Sequence, residues 1–415
     1  MTELFHTFGR IGIYSFGGPA AQIALMHRVL VDEKKWLSEQ EFLNALSFSM
    51  LLPGPEAMQL ATYTGWRQAG VTGGLIAGGL FILPGALVMM ALAITYALFG
   101  NLPLIDALFL GIQATVIAIV LEALLKVAKK AIKRPSDWVI SALSFVAIFA
   151  FALPFPLIIG LAALWGAFST ERIETVPPSA KTREAPNTLT TVTIWLAIWF
   201  APIAVLWLAN ATLLAEIALF FSRLAVVTFG GAYAVLAYMT QTVVADFGWI
   251  TTENMMDGLG LAETTPGPLI LVTQFVGFLA GYREAGLGLG VLAALVTLWV
   301  TFVPCFLWIF TGAPYVERLL HMPRLSGALR SITAAVVGVI LNLSLWFAAH
   351  VIFRQIDTFA SGPVQIIRPE LASLNLLATL IAFIATLLLL VFKLGIGRTL
   401  LAGALLGMIS LLSGA

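Results

Sequence analysis

The chain has 415 residues, 60% of them hydrophobic and only 10% charged, with a net charge of +1 at neutral pH. Soluble domains carry about 25% charged residues, so this composition indicates a polytopic membrane protein and excludes a strongly basic nucleic-acid binder or an acidic tail. Cys305 is the single cysteine, which excludes internal disulfides and a thiolate metal cage.

The N-terminus has no basic stretch before a short apolar core, so no signal peptide is expected. The first long apolar segment, Leu4–Val31, is interrupted at Gly17-Gly18-Pro19. The second, Glu41–Trp66, is interrupted at Pro53-Gly54-Pro55 and followed at once by Glu56. Proline removes a backbone donor and clashes with the preceding turn, and glycine weakens a helix further, so neither segment continues through its break. Val71–Phe99 and Leu104–Ala128 are long enough to cross a bilayer, and a shorter pair is split by Pro154-Phe155-Pro156. A polar linker, Glu171–Thr191, and an additional apolar segment, Val192–Asn210, follow.

The pattern then starts again. Phe8, Arg10, Phe16, Gly17, Gly18, Trp36, Pro53, Gly54 and Pro55 recur in register as Phe221, Arg223, Phe229, Gly230, Gly231, Trp249, Pro266, Gly267 and Pro268. A three-residue insertion precedes the match of Gly65, Arg67 and Gly70 to Gly281, Arg283 and Gly286. The later spans of this half are Leu287–Thr311, Ala328–Phe353, Leu371–Phe392 and Leu394–Leu412. The chain therefore divides into a first repeat at 1–170, the linker and additional segment at 171–211, and a second repeat at 212–415.

Loop charges reverse between the repeats. Met26–Trp36 holds Arg28, Lys34 and Lys35, whereas Met239–Trp249 has no lysine or arginine; Lys126–Arg134 is basic and its counterpart holds only Arg354. Gly100–Asp106 has no basic residue, while Arg318, Arg324 and Arg330 occupy the corresponding part of the second half. Lysine and arginine in short loops set orientation, so the second repeat reads as inverted. The fold class expected is an all-α polytopic membrane protein of two inverted repeats with broken or re-entrant helices.

Matched breaks in two halves point to a transporter's binding site, and an ordinary kink is the bland alternative. Glycines at 17, 18, 54, 230, 231 and 267 let backbone approach a ligand. Pro55 and Pro268 each start a half-helix whose positive end favours an anion. Arg10 and Arg223 are apolar-flanked guanidinium groups suited to an oxyanion, or else snorkelling residues near helix ends. Gln59 and Thr265 are uncharged groups able to bind the same ligand. Glu56 and Glu263 are carboxylates beside the breaks that suit proton coupling, though Glu56 also suits simple charge capping. The four histidines are scattered, and no phosphate-binding loop, nucleophile elbow or HExxH motif occurs. No catalytic residue, metal or cofactor is expected.

Phe16-Gly17-Gly18-Pro19, Trp36-Leu37, Leu52-Pro53-Gly54-Pro55 with Gln59-Leu60-Ala61, and Thr228-Phe229-Gly230-Gly231 with Thr265-Pro266-Gly267-Pro268 resemble the chromate ion transporter family, long-chain two-domain type. That resemblance implies a bacterial-type inner-membrane protein that expels chromate, confers resistance and is driven by an ion gradient. Sulfate, another tetrahedral dianion, would suit the same residues, and a passive anion channel is the reading from another class. The partners expected are the oxyanion and the lipid bilayer, not nucleic acid, with a homodimer left open.

Overall fold

The computed structural model describes residues 1–100, 102–169, 187–229, 232–316, 319, 322–362 and 364–413. Most of the polar linker, and Gly230, Gly231 and Arg318, lie outside the described residues. Sixteen α-helices occur among those described. They are α1 (Thr2–Tyr14), α2 (Gly18–His27), α3 (Glu39–Leu51), α4 (Glu56–Phe99), α5 (Pro103–Ala131), α6 (Pro135–Phe149), α7 (Phe155–Ser169) and α8 (Thr188–Leu208). After these come α9 (Thr212–Val227), α10 (Ala232–Thr240), α11 (Thr252–Thr264), α12 (Val272–Ala285), α13 (Leu287–Gly312), α14 (Pro323–Ile352), α15 (Leu376–Thr386) and α16 (Ile396–Ser413). Five segments are long and apolar enough to cross a membrane: Glu56–Phe99, Pro103–Ala131, Thr188–Leu208, Leu287–Tyr315 and Pro323–Ile352. The protein is a multi-pass membrane protein.

The duplication is visible in local structure. α3 opens on a capping box in which the Glu41 amide donates to Ser38 Oγ at 3.3 Å and the Ser38 amide donates to Glu41 Oε2 at 2.9 Å. α11 opens in the same way: the Asn254 amide donates to Thr251 Oγ1 at 3.3 Å and the Thr251 amide to Asn254 Oδ1 at 3.1 Å. A widened π-type turn follows α2 at Arg28–Glu33, and another follows α10 at the equivalent Gln241–Asp246.

α4 is two limbs rather than one rod. Ala69 (φ −143°) and Gly70 (φ 61°) leave helical geometry. The limbs fold back so closely that a Cβ on Gly65 would strike the Gly73 carbonyl, and one on Gly73 would strike that of Gly65. The second repeat makes the same hairpin from α12 and α13, turning at Gly286 (φ 78°) with Gly281 packed against Leu289 and Ala293. Glycines here replace side chains that would hold the helices apart.

The described residues group into two compact units, and neither coincides with a repeat. Unit one gathers α1, α2, α3 and most of α4 with α8, α9, α12 and α13. Unit two gathers α5, α6 and α7 with α15, α16 and most of α10, α11 and α14, together with the end of α4. Each unit is therefore built from both halves of the sequence. In unit one, Trp195 of α8 stacks on Phe306 of α13 at 5.8 Å, and Trp199 donates to Ser222 Oγ of α9 at 3.1 Å. In unit two, Gly111 of α5 lies directly against Gly403 of α16, and Gly407 against Ala107, a small-residue seam.

Two details differ from the helical expectation. An antiparallel hairpin, β1 (Ile356–Ser361) with β2 (Val364–Pro369), follows α14 and turns at Gly362 (φ 59°). The apolar run expected from Leu371 starts its helix at Leu376. Asn375 caps it by accepting from the Ala378 amide at 3.1 Å, and a helix begins where its free amides find such an acceptor.

Candidate functional site

The two breaks lie in unit one and are cross-braced. α3 ends at Leu51, the chain extends through Leu52, and Gly54 takes φ 120° before α4 begins at Glu56. α11 ends at Thr264, Gly267 takes φ 89°, and a 3-10 turn at Leu269–Leu271 precedes α12. That turn accommodates the three residues by which the second repeat exceeds the first.

The Gly54 amide donates to the Thr228 carbonyl at 2.8 Å, and the Gly267 amide donates to the Ser15 carbonyl at 3.0 Å. Ser15 and Thr228 are themselves equivalent residues, each closing the first helix of its repeat. Each Pro-Gly-Pro is thus held by the other repeat. This reciprocity is what a two-fold relation between repeats produces. The bonds also occupy the glycine amides that would otherwise be the first donors offered to an anion. Gln22 adds to the second brace, donating through Nε2 to the Gly267 carbonyl at 2.6 Å and to the Ser15 carbonyl at 3.2 Å.

Close approach explains the glycines. A Cβ on Gly54 would lie 2.8 Å from Cys305 Sγ and 2.9 Å from Gln59 Nε2. One on Gly85 of α4 would strike the Pro266 carbonyl. Gly17 (φ 86°) and Gly18 (φ 76°) take the positive-φ conformation that only glycine adopts cheaply, and Pro19 lies in the first turn of α2.

Gln59 is fully buried and donates to the Pro53 carbonyl at 2.7 Å, so it closes the first break from beneath. Glu56 is half-buried in the first turn of α4, where a carboxylate complements the helix dipole. Glu263 and Thr265 are buried beside the second break. The carboxylates and Gln59 therefore sit at the breaks, whereas the arginines lie elsewhere. Arg10 is on the exposed face of α1 and pairs with Glu33. Arg223 is on the exposed face of α9 with no ion pair among the described residues. Among the described residues no hydrogen bond links either guanidinium to a break.

Three features had little signal in the sequence. Ser15 and Thr228 matter through their carbonyls, which side-chain chemistry does not report. Arg67 reaches back to Glu41 at 2.6 Å, tying the first limb of α4 to the start of α3. Glu122 pairs with Lys126, one turn further along its own helix, at 2.7 Å. Among the described residues no cluster of metal-ligating side chains occurs.

The family model described as "Chromate transporter" matches residues 2–167 and 215–408. The chain is 31% identical to the "Probable chromate transport protein" of Synechococcus elongatus, over 88% of this chain and 89% of that protein. It is 28% identical to the "Chromate transport protein" of Cupriavidus metallidurans, covering 82% of this chain and 80% of the relative. It is 31% identical to the protein of the same description from Pseudomonas aeruginosa, covering 81% and 79%. No solved structure matches the chain.

Proposed function

The chain belongs to the chromate transporter family, and from that membership we propose that it is a secondary active transporter that exports chromate across the inner membrane, coupled to an ion gradient and conferring chromate resistance. The observation that carries the reading is the reciprocal bracing of the two broken helices in unit one. Broken helices provide an anion with half-helix ends inside the membrane, where few other donors exist.

The proposed seat is formed by the first-turn amides of α4 after Pro55 and their counterparts after Pro268, with Gly17, Gly18, Gly54 and Gly267 providing close approach. Gly230 and Gly231 take the same role by sequence equivalence. Gln59 and Thr265 supply neutral donors. Because Gly54 and Gly267 donate their own amides across the repeats, exchanging those bonds for an anion is the proposed switch between occluded and loaded states. Arg10 and Arg223 lie on exposed faces and are assigned to capture and charge neutralisation of the incoming dianion. Glu56, with Glu263, is the coupling carboxylate.

Chromate flux into inverted membrane vesicles under an imposed pH gradient tests this reading, with sulfate as competitor. Gradient-dependent uptake is expected in the wild type, loss of most flux in Arg10→Ala and Arg223→Ala, and loss of gradient dependence in Glu56→Gln. Absence of gradient-dependent chromate flux in the wild type would overturn the function. Normal flux in both arginine variants would overturn their assignment, unaltered proton dependence in Glu56→Gln would overturn Glu56 as the coupling carboxylate, and chromate flux that ignores the pH gradient in the wild type would favour a passive channel.

A further inference from the structure

Unit two holds a buried polar cluster that belongs to neither break. Asp257 of α11 is only 3% exposed. One of its carboxylate oxygens accepts from the Tyr96 hydroxyl at 2.7 Å, and the other from the Gln113 side-chain amide at 2.8 Å. Asn254 Nδ2 in turn donates to the Tyr96 oxygen at 2.8 Å. Asn254 is joined to the exposed Thr251, whose hydroxyl donates to Asn254 Oδ1 at 3.0 Å. Polar groups therefore run from the exposed start of α11, through half-buried Tyr96, to a buried acid.

The packing that creates this cluster is specific. Gly260 lies one turn from Asp257 and meets α5 so closely that a Cβ would collide with Ile112. That approach sets Asp257 against Gln113, the next residue of α5. α11 itself is not among the membrane-length helices.

The charged and titratable groups around the acid are few. Glu253 faces it from α11 itself, Asp106 from the first turn of α5 and Tyr96 from the end of α4, while His350 of α14 lies toward Glu253. No salt bridge reaches Asp257 among the described residues. A carboxylate taken out of water beside two other carboxylates is costly unless it takes up a proton.

The hydrogen bonds suit both states. Ionised, the carboxylate accepts from Tyr96 and Gln113. Protonated, its O–H donates to the Tyr96 oxygen while Gln113 still donates to the other oxygen. The equivalent residue of the first repeat is Asn44, which cannot titrate, so the first repeat has no counterpart of this acid.

We propose that Asp257, held between Tyr96 and Gln113, is a reversible proton-binding site of unit two, loaded from the exposed end of α11 through the Tyr96 hydroxyl. The ligand is a proton taken from water, which adds to a carboxylate oxygen and leaves by the same route. The site is separate from the Pro-Gly-Pro breaks and does not depend on which anion the protein carries.

Infrared difference spectroscopy of the full chain in nanodiscs, titrated through the neutral pH range without any oxyanion, tests the proposal. The expected result is a carboxylic-acid carbonyl band that disappears as pH rises, is absent in Asp257→Asn and persists in Glu56→Gln. Tyr96→Phe and Gln113→Leu each remove a donor to the ionised form, so each is expected to move the midpoint upward by about one pH unit. These two variants retain the acid and keep the test open should Asp257→Asn fail to fold. A spectrum in which no titrating band depends on Asp257, or a midpoint unmoved in both donor variants, overturns the proposal. Neither result bears on chromate flux, and failure of chromate flux leaves the band unaffected.

Discussion

Gly54 shows how much one residue carries. Its φ of 120° is closed to side-chain-bearing residues, and its neighbours Cys305 and Gln59 leave no room for a methyl group. Gly54→Ala is expected to cost about 1–3 kcal/mol in backbone strain and a similar amount from overpacking. Thermal unfolding of the detergent-solubilised protein measures it, and Gly54→Ala/Cys305→Ala should recover only the part of the packing cost that comes from the sulfur contact. Gln22→Leu strips two donors from the second brace and is expected to lower stability by about 1–3 kcal/mol. A Tm equal to wild type would show that the brace holds without it.

Glu41 has a pH signature. The Ser38 amide first, and then the Arg67 guanidinium, hold its carboxyl below the ordinary carboxylate range. A depressed acid stabilises the fold above its unfolded value, and that contribution disappears as pH falls through the folded value. Glu41→Gln should therefore lower Tm at neutral pH and converge with wild type in acid. Because both partners are more than a third exposed, the difference is expected to be modest and to shrink in high salt.

Among the elements, the glycine hairpins are the features most open to disruption. The limbs of α4 meet at Gly65 and Gly73 with no side chain between them. Gly73→Leu is expected to force the limbs apart and destabilise unit one by more than the 1–3 kcal/mol typical of overpacking. Half-buried Gly79, which has open space where a Cβ would stand, should tolerate alanine with little change. Limited proteolysis of both variants separates the two outcomes. The hairpin's turn was legible because Gly70 and Gly286 match in the repeat. Its tightness was not, since a glycine in a helix reads only as weak propensity until the facing residue is known. The β-hairpin at Ile356–Pro369 was likewise hidden, lying between apolar runs whose hydropathy drowned a twelve-residue pattern.

At the scale of the whole molecule, each compact unit draws helices from both repeats. Neither half of the chain should therefore fold alone. Residues 1–169 expressed separately are expected to be degraded, and co-expression with residues 187–415 should restore a protease-resistant complex. A stable first half by itself would contradict the interleaving. The sequence by itself determined the membrane class, the duplication, the two Pro-Gly-Pro breaks and the family, because each is written in composition, in short motifs or in identities at a constant spacing, none of which depends on which residues meet in space. Tertiary structure alone decided which carbonyl each break glycine reaches, that Arg10 and Arg223 face outward, and that Asp257 meets Tyr96 and Gln113. Those partners lie more than a hundred positions apart, and only the packing of one repeat's helices against the other's brings them within hydrogen-bond distance.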